Sequence, residues 1–288
     1  MNDKYELIAE DFVEVLGRRL FRIRSKKTFS RVAIGDKGGF VESERNLSPY
    51  GNAWVSEDAW VSGDARVFEN ARVFENARVS GYARVSGNAW VSGDAWVSGD
   101  ASVSKDARVS GDAWVSGDAS VSGYARVSGY AWVSEDAWVS GYASVSGNAS
   151  VSGNASVFGD ASVSGDASVS GNARVFENAW VSGYAKVSGY AKVSGNASVS
   201  GNAWVSGNAW VSGDASVSKP TDILVIGPVG SRSAYFSVIV PSGKVKVGCF
   251  EGSLDDLEKA AKERDRQDYL DLLPGIRAIV SRRQVAKE

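Results

Sequence analysis

From residue 51 to residue 218 the chain places Ala at every sixth position and Val two places after it, without exception. Around these fixed apolar positions the unit reads Gly, Glu or Lys, then Asn, Asp or Tyr, then Ala, a variable residue, Val, and Ser or Phe. The 168 residues make 28 such units, from Gly51-Asn52-Ala53-Trp54-Val55-Ser56 to Gly213-Asp214-Ala215-Ser216-Val217-Ser218. Side chains alternate along a strand, so the Ala and Val of one unit share a face. Val, branched at Cβ, suits that geometry. The Ser-Gly-Asn or Ser-Gly-Asp that follows is turn chemistry. So short a strand buries nothing alone, and a fixed short period predicts a chain that winds and stacks on itself as a solenoid. Three units per coil predict a triangular prism of about nine coils, with Ala and Val inside and the variable residue outside.

Position for position, the unit resembles the hexapeptide repeat of left-handed parallel β-helices: aliphatic, small, two free, small, free. The resemblance covers all 28 units. It implies an all-β solenoid whose left hand comes from the resemblance itself. Strand physics favours right-handed crossovers, which keeps a right-handed β-helix as the alternative. The family includes acyltransferases using coenzyme A or acyl carrier protein, and zinc carbonic anhydrases. Both imply His, as general base or as metal ligand. This chain has no His, and no unit is interrupted by the loop that the acyltransferases commonly extrude. Neither activity is expected, nor any cofactor or metal, and Asn and Tyr replace the corner Asp freely. An ice- or carbohydrate-binding surface is a further alternative, against which stands the absence of Thr from the repeat.

The ends break the period. Residues 1–50 read as an N-terminal β cap, with a half-buried strand expected over Leu20-Phe21-Arg22-Ile23-Arg24 from its alternation of apolar and basic residues, and a turn at Gly17-Arg18-Arg19. A solenoid needs such a cap because its first coil exposes unpaired backbone groups. The run Gly38-Gly39-Phe40-Val41-Glu42 resembles the lead-in of uncharacterised β-helix proteins from bacteria and their phages. Residues 219–288 read as a small α+β module. Strands are expected over 222–226, 235–240 and 245–250, a helix from Ser253 to about Gln267, and a second over 269–281 with a possible break at Pro274. Cys249 is expected as a small apolar residue in the third strand. The loop with Gly227, Gly230, Ser231 and Arg232 is a candidate anion site, though it lacks the helix that a phosphate loop uses. An enzyme or ligand-binding activity in this module is the second functional reading.

A net charge of −2 argues against a general nucleic-acid binder. One Cys permits no internal disulfide, the chain start has no signal pattern, and no apolar stretch spans a bilayer; a cytoplasmic protein is expected. Information is confined to the variable positions, which fall into three columns of residues 18 apart. All ten Trp stand there. The candidate interface is Trp60, Arg78, Trp96, Trp114 and Trp132 in the second column, with Trp54, Arg72 and Trp90 in the first. Trp and Arg dominate binding hot spots, yet stacked between coils they also stabilise the chain internally. The leading reading is a non-catalytic scaffold. It presents these ladders for self-association, as a trimer, which the resemblance implies, or as a dimer, or for a host protein if phage-encoded.

Overall fold

A computed structural model describes residues 2–230 and 233–285. The chain forms two compact units, one ending at Gly159 and the other beginning at Asp160. β-Solenoid turns occur in both, about ten in all, and the second unit ends in a small sheet-and-helix module.

Each six-residue unit contributes one two-residue strand, the variable residue and its Val, and strands 18 residues apart pair in parallel. Trp90–Val91, for example, lies between Arg72–Val73 and Arg108–Val109. Within the first unit this builds three sheets, and Val and Ala point inward from all of them. Throughout the repeat every Val is fully buried and no Ala is more than 3% exposed. Each such Val contributes about 1.5–3 kcal/mol of burial. At the corners the first residue of each unit is left-handed, as Gly111 is at φ 67. Glu57, Glu69, Glu75, Lys105, Glu135 and Glu177 adopt it too, at φ 58 to 61, for about 1–2 kcal/mol each. Three of the Glu residues offset that cost. Their carboxylates accept the N–H of the Gly one turn later: Glu69 from Gly87 and Glu177 from Gly195, both at 2.5 Å, and Glu75 from Gly93.

The ladder has a direction. The N–H of the earlier turn donates to the carbonyl of the later one, as from Trp90 to Ala107 and from Ser92 to Val109, both at 3.0 Å. The first turn therefore presents carbonyls without donors, and the last presents N–H groups without acceptors. Buried backbone groups of either kind require partners. The two ends of the chain answer with opposite chemistry.

At the N-terminal end, donors arrive. The fully buried Lys4 sends its Nζ to the carbonyls of Ala53 at 2.7 Å and Ser48 at 3.0 Å. The Tyr5 hydroxyl donates its one hydrogen to the Leu47 carbonyl at 2.7 Å, with the Glu44 carbonyl 3.0 Å away, and the Asn46 amide donates to Gly63 and Ala65, both at 2.9 Å. Strand Tyr5–Val15 pairs antiparallel with Arg18–Ser25, which pairs antiparallel with Lys37–Val41. That third strand is the glycine-rich lead-in, and it is already a rung: Phe40 and Val41 pair in parallel with Trp60 and Val61. Its Glu42 accepts the Gly63 N–H at 2.6 Å, as the corner Glu residues do. Burial opposes ionisation of Glu42, but that bond and Arg18 hold its pKa below the ordinary value.

Two expectations are corrected here. The hairpin turn is Leu16-Gly17, at φ 51 and 76, because Val15 and Arg18 already pair; a two-residue turn of this kind matches strand twist. Simple alternation over 20–24 also fails. Leu20 and Ile23, three apart, are both buried because the ladder shifts register between Arg22 and Arg24.

The C-terminal module is an antiparallel sheet of Ile223–Val229, Ala234–Ile239, Lys244–Val247 and Phe250–Ser253, covered by helices Leu254–Glu263, Gln267–Leu270 and Leu273–Val285. Phe236, Val238, Val245, Leu257 and Ile276 form its core. Ser253 caps the first helix as expected, accepting the Asp256 N–H at 3.1 Å. The expected third strand is two strands, because Gly248 at φ 57 opens a tight turn. Cys249 is therefore an exposed turn residue. The first helix stops at Glu263, and Asp265 turns left-handed at φ 50. Pro274 opens the last helix instead of breaking it, since its missing N–H costs nothing in a first turn. Here acceptors arrive: Ser237 Oγ takes the Trp210 N–H at 2.7 Å, and Asp222 Oδ2 takes those of Ser218 at 2.9 Å and Lys219 at 3.0 Å.

Burial, helped by the Lys27 charge, lowers the pKa of Lys4 to about 8 from 10.5. Between those values the unfolded chain holds a proton that the folded chain has released, so stability rises with pH. Tyr5, raised above its ordinary 10.0 by burial and Glu44, acts oppositely above pH 10. Urea unfolding should therefore show stability climbing by ~2 kcal/mol from pH 8 to 10 and then turning over. In Lys4→Met the climb should vanish, and a wild-type profile identical to that variant's would refute the assignment.

Candidate interaction surface

Of the three faces in the first unit, the second carries a continuous ladder of large side chains. Trp60, Arg78, Trp96, Trp114 and Trp132 follow one another at successive turns. The Arg78 guanidinium stands 6.0 Å from the ring centres of both Trp60 and Trp96. Trp96 and Trp114 stack at 5.0 Å and 2°, and Trp114 and Trp132 at 5.3 Å and 7°. Each such contact is worth about 0.5–1.5 kcal/mol. Stacking covers the ring faces and leaves the outer edges bare, so Trp114 and Trp132 remain 37% and 48% exposed.

A second interaction fixes these rings. The indole N–H of Trp96 donates to Ser80 Oγ at 3.1 Å, and Trp114, Trp132, Trp138, Trp180, Trp204 and Trp210 repeat this with the Ser sixteen residues earlier. Trp90 has Phe74 at that offset and meets it edge-on at 6.0 Å. Sequence reasoning missed this pairing, although its signal is plain: from Trp90 onward every Trp has Ser or Phe sixteen residues before it. The ladders are thus internal struts as well as an outward surface.

The first column behaves differently. Trp54 is only 6% exposed, lying beneath Phe29, whose ring stands edge-on at 5.5 Å. The expectation that it faces outward is corrected: the cap folds over it. Arg72 donates to Ser30 Oγ at 2.9 Å and so also serves the cap. Trp90 stays 40% exposed, with Arg108 at 4.9 Å from its ring. Beside this column Asn52, Asn70 and Asn88 pass amide hydrogen bonds down to Asp106, which ends the chain as an acceptor.

In the C-terminal module, Gly227 lies within strand Ile223–Val229 and Gly230 follows it, with the Asp268 carboxylate lying against Gly230. Ser231 and Arg232 lie outside the described residues. No group of three or more His, Cys, Asp or Glu side chains able to hold a metal occurs among the described residues. None of their helices is long and apolar enough to cross a membrane.

A family profile described as the YdcK beta solenoid repeat matches residues 83–99, 167–183 and 191–207. Among solved structures, the chain is similar to UDP-N-acetylglucosamine acyltransferase from Campylobacter jejuni, at 14% identity and a TM-score of 0.25, over 57% of this chain and 71% of that one. No curated protein matches the chain. These similarities concern the β-solenoid.

Proposed function

We propose that this protein is a non-catalytic scaffold that self-associates through the second-column face. The observation that carries the reading is the stacked ladder from Trp60 to Trp132, with Trp114 and Trp132 held rigidly and still open along their edges. Rigid aromatic residues flanked by Arg lose little entropy on binding and dominate interfaces. A face of in-register rungs is flat, which suits a second copy of itself. The reading takes the coils as left-handed, as the resemblance to hexapeptide-repeat β-helices implies, and places the protein in the cytoplasm. The lead-in's likeness to phage and bacterial β-helix proteins makes a host protein the alternative occupant of the face.

Absence of catalysis rests on the sequence. An acyl-transfer site needs a base beside the acceptor, and there is no His in the chain.

Light scattering tests the reading. Wild type should run at two or three times its 30.4 kDa chain mass. Trp96→Ser, Trp114→Ser and Trp132→Ser together should return it to one chain, with circular dichroism unchanged because the Val and Ala core is untouched. A folded triple variant with wild-type mass would reject this face.

A further inference from the structure

The geometry points to a nucleotide-binding cleft in the second unit, between the last solenoid turns and the C-terminal sheet. The cleft measures 520 Å³, a size common for small-ligand sites. Its floor is the third column over three turns, Arg174, Lys192 and Trp210, which pair in register. The corner residues of those turns, among them Tyr190, line it as well. Its wall is the Val247 to Phe250 hairpin with Tyr235, Arg264 and Arg266.

The lining carries five cationic side chains and no carboxylate, in a chain of net charge −2. Two of the five are matched from outside the lining: Lys246 by Glu251 at 3.0 Å and Arg266 by Asp268 at 2.8 Å. Among the described residues Lys192 and Arg264 have no carboxylate partner. Lys192 instead faces the Trp210 ring at 5.1 Å, and Lys246 faces it at 4.3 Å. Of the two ammonium groups against this indole, Lys246 is paired with Glu251 and Lys192 is not, so Lys192, with Arg264, leaves positive charge in the cleft. That is a site for a phosphoryl group.

The second half of the ligand is read from Tyr190. In the first unit Tyr124 and Tyr142 stack on each other at 4.9 Å. Tyr190 has Asn172 and Asn208 one turn to either side, so no neighbouring ring in its column stacks on its face. An open aromatic face beside uncompensated cations suits a flat base joined to phosphate.

Titration calorimetry of the full chain with AMP, ADP, adenosine, inorganic diphosphate and a short single-stranded oligonucleotide, at 50 mM and 500 mM salt, tests this. ADP should bind at least tenfold more tightly than adenosine or diphosphate, and weaken at high salt. Lys192→Gln and Arg264→Gln, both outside the core, should each weaken ADP about tenfold, and Tyr190→Ser should reduce the preference for ADP over diphosphate. Four results would each overturn the inference: no binding of any nucleotide at millimolar concentration, ADP binding indifferent to Lys192→Gln and Arg264→Gln, equal binding of diphosphate and ADP, or tighter binding of an oligonucleotide than of ADP. The second-column face plays no part, so binding by the triple Trp variant separates this inference from the scaffold reading.

Discussion

Replacing Gly39 with Ala should detach the lead-in strand from the solenoid and cost about 3 kcal/mol or more. A Cβ built on Gly39 would stand 2.4 Å from the Ala59 carbonyl oxygen and 2.8 Å from a Val55 methyl. Neither neighbour can give way. The Ala59 carbonyl accepts the Phe40 N–H at 2.8 Å, so moving it breaks the first rung, and Val55 belongs to the sealed interior. Gly207→Ala is the control, with no atom within 4 Å of its Cβ but φ at 63. It should cost only the ~1 kcal/mol of a left-handed Ala. Hydrogen exchange at Phe40 and Glu42, whose amides bond to Ala59 and Val61, reads the detachment directly. Gly39 itself has no left-handed φ, so a Gly39→Ala variant no more destabilised than Gly207→Ala would show that the lead-in shifts to make room and that the close approach does not hold it.

That lead-in shows where the sequence was legible and where it was not. The repeat could be read because identical units leave one solution: Ala and Val share a face, and only stacking buries it. Every inward residue and every 18-residue neighbour follows from counting. The lead-in follows the same architecture in different letters. Gly39 precedes Phe40 as Ala59 precedes Trp60, but the offset is 20 residues instead of 18. Leu47 likewise pairs with Val67 in the place of a Val. A period search fails there because two extra residues and three substitutions coincide. The surface was legible in part. Columns could be sorted, but Trp54 could not be known to lie under Phe29, since that contact depends on how the 26–36 loop folds back.

The caps were the least legible feature, although the need for them was plain. What could not be read was the direction of the ladder, which decides whether each end lacks donors or acceptors. Once known, it explains why Lys4, Tyr5 and Asn46 serve one end while Ser237 and Asp222 serve the other.

Asp222→Ala is therefore expected to unfasten the C-terminal end of the solenoid. Asp222 is 1% exposed, and its Oδ2 accepts three hydrogen bonds, from the Ser218 N–H and hydroxyl, both at 2.9 Å, and from the Lys219 N–H at 3.0 Å. Hydrogen bonds to a charged group contribute about 1.5–3 kcal/mol each. Ser218 and Lys219 are exposed, so water recovers part of the loss. The net cost should be ~2–4 kcal/mol, and Asp222→Asn, which keeps an acceptor, should lose about 1 kcal/mol. Because each turn of a solenoid leans mainly on its neighbours, fraying should start at this end and weaken with distance. Ser198 and Ser200 donate to Ala215 and Val217 at 2.8 Å, so their amides should lose exchange protection first. Ser162 and Ser164, two turns earlier, should lose far less. Uniform loss of protection from 162 to 217 would mean that this end melts as one block, and Asp222 would then be only one contact among many.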